Sequence, residues 1–181
     1  MGLMGLIRRG RHERAGFGLY GAAVSAARDS YFYATLGVPD TLDGRFDMVG
    51  LHAALLIRRL RQSPEPGPAI AQAVFDAMFS DMDRNLREMG VSDLAVGKRV
   101  RAMWEAFHGR AQAYDAAFDA NDPSALAAAI GRNVWRGEPA AAGATETLAR
   151  VALAQSAYLA DQSLAELAAG RVRFLPAAEA A

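Results

Sequence analysis

The sequence predicts an all-α protein: a single compact helical domain of about six to seven helices, with a central antiparallel helix pair and flexible termini. Two observations carry this. Apolar residues recur at three- and four-residue steps from Phe75 to Phe118, first as Phe75, Phe79, Met82, Leu86 and Met89, then as Val96, Val100, Met103, Phe107, Ala111, Tyr114 and Phe118. Helix stops and starts punctuate the chain at Gly90-Val91-Ser92, at Asn121-Asp122-Pro123 and at Gly170.

Composition narrows the function classes. A chain of 181 residues suits one domain, and such a globule buries roughly 70% of its unfolded surface. It has no cysteine, which excludes disulfides, thiolate metal sites and cysteine nucleophiles. Twenty basic residues balance twenty acidic ones, so no general DNA or RNA coating is expected and any charged partner must meet a local patch. No secretory signal is legible, which reads as cytoplasmic, with peripheral contact on the cytoplasmic face of the inner membrane as the further expectation.

Residues 1–16 form a basic arm, amphipathic or disordered, in which Leu3, Met4, Leu6 and Ile7 precede Arg8, Arg9, Arg11 and Arg14. The apolar run is too short for a span, which needs about 20 residues. The arginines suit a membrane surface or an RNA backbone. The domain proper covers residues 17–176. Phe17–Arg28 reads as a short helix, and Ser30–Asp43 as a tucked connection anchored by Tyr31 and Phe32, with Thr41 or Asp43 capping the next helix. Gly44–Arg61 is apolar around most of its circumference and should be the central, most buried helix.

On that helix Arg45, His52 and Arg59 lie seven apart and form one stripe, while Asp76 and Asp83 lie seven apart on the following helix. The short connection QSPEPG and Pro68 in the first turn bring the second helix straight back. The expected result is a scaffold ionic ladder in which Arg59 meets Asp76 and Arg45 or His52 meets Asp83. Such pairs set register more than they add stability.

The helix from Ser92 or Asp93 to about Ala120 contains Gly97 and Gly109, each costing about 1 kcal/mol of helix propensity, and close approach of another backbone or of a partner would explain both. A helix over 123–136 follows, then a small-residue loop over 137–144. A last helix runs from Thr145 to about Ala169, and an extended tail over 171–176 docks back on the body. Residues 177–181 are expected to be disordered.

No catalyst is visible. The three histidines sit on separate segments without metal-ligand spacing, so no metal is expected. Asp81 and Asp83 point about 200° apart on a helix and cannot share an ion, so Asp76, Asp81 and Asp83 do not form a metal cluster. No glycine string fits a nucleotide loop, and no cofactor is expected. The alternative is a small helical ligand-binding protein or enzyme whose pocket between the central helices uses the Arg45/His52/Arg59 stripe as an anion site.

The blocks LGVPDTLDGRFD, FSDMDRNLREMGVSDL and VGKRV followed by FHGR resemble the ubiquinol-cytochrome c chaperone family, over roughly residues 17–136. The family commonly carries tyrosine in the place of His108. The resemblance implies an all-helical, non-enzymatic assembly factor that binds newly made cytochrome b and supports assembly of the bc1 complex. It also implies a small partner protein and proximity to the ribosome and inner membrane. On that implication Asp81, Arg84, Lys98, Arg101, His108 and Arg110 form the client- or partner-binding surface, and the ionic ladder holds its scaffold.

Overall fold

The computed structural model describes residues 3–136 and 138–181. Among them lie eight α-helices and no strand: α1 (Leu3–Ala27), α2 (Leu42–Arg61), α3 (Gly67–Glu88), α4 (Asp93–Asp119), α5 (Pro123–Val134), α6 (Ala144–Ala160), α7 (Leu164–Ala168) and α8 (Ala177–Ala180). The expected boundaries at Gly90, Asp122 and Gly170 hold. Asp122 accepts from the backbone N–H groups of Ser124 and Ala125, both at 3.0 Å, and Pro123 opens α5, where an N–H would have no partner. Gly90 and Gly170 take φ of +80° and +78°, the left-handed conformation that ends a helix.

The N-terminal arm is not separate from the short helix expected after it. Both belong to the 25-residue α1, because no proline or capping residue interrupts 3–27. Met1 and Gly2 of the arm lie outside the described residues, as do the side chains of its apolar head. The core face of α1 carries Ala15, Leu19, Tyr20, Ala23 and Ala27, all buried. Between them Gly16 lets α1 meet α3 backbone to side: a Cβ there would sit 2.5 Å from the carbonyl carbon of Ala73.

After α1 the chain turns through one wide π-type turn, Tyr31–Thr35, which drops Phe32 fully into the core. Thr41 then caps α2, its Oγ1 accepting from Gly44 N–H at 3.1 Å. The sequence placed α2 at the centre, and it touches α1, α3, α4, α5 and α6. Met48, Leu51, Leu56 and Leu60 on it are essentially without solvent contact.

The ionic ladder between α2 and α3 does not form. Arg45 pairs with Asp40 at the exposed start of α2 (2.6 Å), holding that carboxyl below its usual range. Asp76 accepts from Gln72, and Asp83 pairs with Arg87, one turn away on its own helix. Arg59 points to the other end of the molecule, donating to the carbonyls of Leu159 and Gln162, both at 2.9 Å, and to Ser63 Oγ. Residues i and i+7 share a face, but the neighbour that face meets depends on helix rotation, and here the apolar residues of α2 meet α3 while its arginines reach elsewhere.

Apart from Arg87 with Asp93 at the α3–α4 hairpin, the helix-to-helix ion pairs among the described residues run from α2 to α4 instead. Arg58 reaches Asp115 (3.2 Å) and Asp119 (2.6 Å) and lies over the Phe118 ring. Asp47, with a wholly buried carboxylate, meets Arg110 from α4, and Arg136 beyond α5 at 2.9 Å. Arg136 also reaches Asp43 at 2.7 Å. Burial pushes the Asp47 carboxyl up, against the pull of Arg136 and Arg110. Losing either arginine would leave a buried charge short of a partner, typically far more costly than the net gain from the pair.

The C-terminal region departs furthest from expectation. The single helix over 145–169 is two, because Ser163 Oγ accepts from Glu166 N–H and starts α7 afresh. The tail over 171–176 does dock. Residues 177–181 are not loose either: 177–180 form α8, with Ala177 and Ala180 buried. Of the small-residue loop, Gly137 lies outside the described residues.

Candidate functional site

Helix α4 buries little of itself. Of its 27 residues only Val96, Phe107, Tyr114 and Ala117 are buried. Leu94 is 96% exposed and Trp104 43% exposed, and Met89, just before the helix, is also exposed. Lys98, Arg99 and Arg101 are exposed between them. Helical spacing puts Leu94, Lys98, Arg101, Glu105 and His108 along one stripe, bordered by Gly97 and Trp104. Arg101 donates to Glu105 at 3.0 Å, with both side chains mostly in water. Lys98 and Arg99 have no acid within reach among the described residues. The result is a basic ridge with apolar ends.

Aromatic contacts fix its lower part. The His108 ring centroid lies 4.0 Å from that of Trp104, the two planes tilted by 34°, and its Nδ1 sits 3.0 Å from the Trp104 carbonyl oxygen. Phe75, Phe79 and Phe107 pack behind, with Phe75 5.4 Å from His108 and 5.9 Å from Phe107. Such offset and edge contacts hold rings in preferred arrangements. His108 and Trp104 therefore form a fixed aromatic step at the edge of the α3–α4 interface.

Of the six residues expected on one contact surface, Lys98, Arg101 and His108 share this ridge. Arg84 is exposed on α3. Asp81 is half-buried and turned to α1, accepting from Tyr20 Oη at 2.9 Å as well as from Asn85. Arg110 faces inward onto Asp47 and across the Phe46 ring, with only 13% of its side chain exposed; it is a scaffold residue. Trp104, Leu94 and Arg99 belong to the exposed face and were missed. Trp104 had a signal, being an aromatic one place off the Val96/Val100/Met103/Phe107 stripe. A Cβ added at Gly97 or Gly109 would have nothing within 4 Å among the described residues, so none of the described segments explains them.

The pocket alternative loses its chemistry. His52 is buried between Phe32 and Phe174, with ring centroids 5.5 Å away on each side, and Arg45 and Arg59 are occupied as described. A surface groove of about 450 Å³ lies between α5 and α6, lined largely by small residues such as Ala127, Ala128, Gly131 and Ala149. None of the three stripe residues reaches it. Among the described residues no group of three or more His, Asp or Glu side chains could hold a metal ion, and no helix is long and apolar enough to cross a membrane.

The family description "Ubiquinol-cytochrome C chaperone" matches residues 34–174, most of the chain. The chain belongs to this family. Among curated relatives of the ubiquinol-cytochrome C chaperones, it is 31% identical over 150 residues to "Protein CBP3, mitochondrial" of Saccharomyces cerevisiae, covering 81% of this chain and 44% of that protein. It is 26% identical over 116 residues to "Ubiquinol-cytochrome-c reductase complex assembly factor 1" of Xenopus laevis, covering 64% and 58%. The chain thus spans about half the length of the curated relatives it matches. The crystal structure of the Cbp3 homolog from Brucella abortus superposes with a TM-score of 0.84 at 36% identity, covering 98% of this chain and 99% of that one.

The geometry also says what two of the ubiquinol-cytochrome C chaperone blocks do. LGVPDTLDGRFD ends at Asp47 and FHGR ends at Arg110, and these two residues form the buried ion pair. The first block also supplies the Thr41 cap and Asp43, and the second supplies Phe107 and His108. The two blocks join α2 to α4 and set the lower half of the ridge.

Proposed function

We propose that this chain is a non-enzymatic assembly chaperone for the ubiquinol-cytochrome c reductase (bc1) complex, and that it holds newly made cytochrome b on the exposed ridge of α4. Membership of the family and the names of the relatives support the assembly role. The observation that supports the ridge is its pairing of exposed apolar groups, Leu94 and Trp104, with Lys98 and Arg99, which have no acid partner in reach. A hydrophobic client needs apolar surface to shield it, and cations steer an acidic segment into place. Arg84 extends the basic surface, and Arg8, Arg9, Arg11 and Arg14, exposed on the first turns of α1, are suited to an anionic surface beside the inner membrane or the ribosome.

The test is a pull-down of tagged protein from cells synthesising cytochrome b. Lys98→Glu with Arg101→Glu should abolish recovery of cytochrome b while folding stability stays within about 0.5 kcal/mol of wild type, as for ordinary surface changes. Full recovery by the double variant would remove the ridge from the reading. Failure of the wild-type chain to recover cytochrome b would remove the client.

A further inference from the structure

Residues 171–176 lie outside any helix, and their main chain, with the first N–H of α8, is held by side chains. The amide of Gln162 accepts from Arg173 N–H (2.9 Å) and donates to Arg173 C=O (2.8 Å). The amide of Gln155 does the same for Leu175, at 2.9 and 2.7 Å. Asp29 accepts from Ala177 N–H at 3.0 Å. Positions 173, 175 and 177 are one edge of an extended chain, so the two glutamines and the aspartate act as a neighbouring strand would. Gln155 and Gln162 are 1% and 6% exposed; the Gln155 amide bonds only to this segment among the described residues, and that of Gln162 bonds to it and to Tyr158 C=O at 3.3 Å.

One side chain of the segment is read as well. The Phe174 ring meets His52, which meets Phe32 on its far face. The Nε2 of His52 has no hydrogen-bond partner. Arg59, through the carbonyls of Leu159 and Gln162, fixes the turn that presents Gln162. The last backbone-to-backbone bond before the segment is Arg171 N–H to Glu166 C=O at 3.0 Å. From 172 to 175 no backbone group bonds to other backbone among the described residues, Pro176 C=O accepts from Glu179 and Ala180 N–H at the start of α8, and Arg171, Arg173 and Pro176 are exposed. The segment can leave by opening at Gly170, with α8 and its buried Ala177 and Ala180 leaving as one piece with it.

We propose that the channel formed by Gln155, Gln162, Asp29, His52 and Phe32 is a binding site for an extended peptide with an aromatic side chain at its centre, and that residues 171–177 are its resident ligand, exchangeable for a foreign segment of the same chemistry. Recognition of main chain at alternate positions, with one pocket for a side chain, is the logic of strand addition to a sheet edge, here built on helices. It accepts unfolded polypeptide with little regard to sequence beyond the ring. The inference stands apart from the α4 ridge and from the identity of any client.

The probe is a fluorescein-labelled peptide of residues 170–181, titrated into the full-length chain and followed by anisotropy. The tethered segment competes at an effective concentration of millimolar order, so wild type should bind weakly. Phe174→Ala in the full-length chain weakens the competitor and should raise affinity for the wild-type peptide by about tenfold or more. Adding Gln155→Leu should abolish binding, and a peptide with alanine in place of Phe174 should bind about tenfold more weakly. A helical, cooperatively melting Phe174→Ala chain that binds no better than wild type overturns the proposal. If that variant does not fold, amide exchange of wild type decides. Joint exchange of Arg173, Leu175 and Ala177 ahead of the α2 amides supports it, and exchange only through global unfolding overturns it. A concentration-dependent dimer that Phe174→Ala abolishes would assign the channel to a second copy of the chain and overturn a foreign ligand.

Discussion

Buried and uncharged between two phenylalanines, His52 couples stability to pH. Burial lowers its pKa from 6.5 to about 4, against weaker upward pulls from its bond to the Met48 carbonyl and from Asp29. Above pH 6.5 the ring is neutral both folded and unfolded and contributes no slope. As pH falls from 6.5 towards 4, the unfolded chain takes up a proton that the folded one does not, so stability is lost across that window, by about 3 kcal/mol in all. Urea unfolding at pH 7 and pH 4.5 should show this slope in wild type and a flatter one in His52→Phe, which keeps a ring between Phe32 and Phe174. Equal slopes would mean that His52 charges freely in the folded protein. Residues of this kind were only partly legible. His52 was expected in the ionic ladder because a histidine on an apolar face has no signature of which contacts enclose it. Arg59 was unreadable because its acceptors are backbone carbonyls about 100 residues away, and carbonyls are the same in every residue. Asp47 was readable in principle, as one acid between Phe46 and Met48 on an otherwise apolar helix.

Helix ends were legible wherever a local side chain does the capping, as at Thr41 and Asp122, and helix contacts were not, because they depend on what another segment brings. Gly97 and Gly109 were expected to mark close approach, yet among the described residues glycines of α1 take that role, Gly16 against Ala73 and Gly18 against the Gly170 carbonyl. The two kinds of glycine separate cleanly by substitution in α1. Gly21 has nothing within 4 Å of a built Cβ, so Gly21→Ala should stabilise by about 0.5–1 kcal/mol through helix propensity alone. Gly16→Ala gains the same propensity but must push α1 from α3, because the added carbon meets backbone that has no rotamer to escape into. A net loss of about 1–3 kcal/mol is expected. Denaturant midpoints of the two variants check this, and a stabilised Gly16→Ala would show that the crossing is looser than the distances imply. The break between α6 and α7 escaped notice for the same reason: Ser163 is a legible cap, but Gln162 leaves the helix to hold a strap that follows it in sequence.

At the scale of the molecule the anchoring is uneven, and the candidate face lies where it is weakest. The second half of α4 buries Phe107, Tyr114 and Ala117 and is tied to α2 through Arg110–Asp47 and through Arg58 with Asp115 and Asp119. The first half buries only Val96, and its interhelical ion pair, Asp93 with Arg87, is exposed at the hairpin. Local opening is easiest where few apolar contacts must be broken. Amide exchange should therefore find residues 97–105 opening at a free energy at least about 2 kcal/mol below that of residues 110–118, which should track α2. The sequence showed α4 as one continuous helix, which it is, but helical periodicity cannot show how much of a stripe meets a neighbour. If a client docks on the ridge, bound complex should slow exchange in 97–105 and leave 110–118 unchanged. Uniform protection along α4 in the free chain would mean that the ridge is as rigid as the core, and the link between weak anchoring and partner binding would fall.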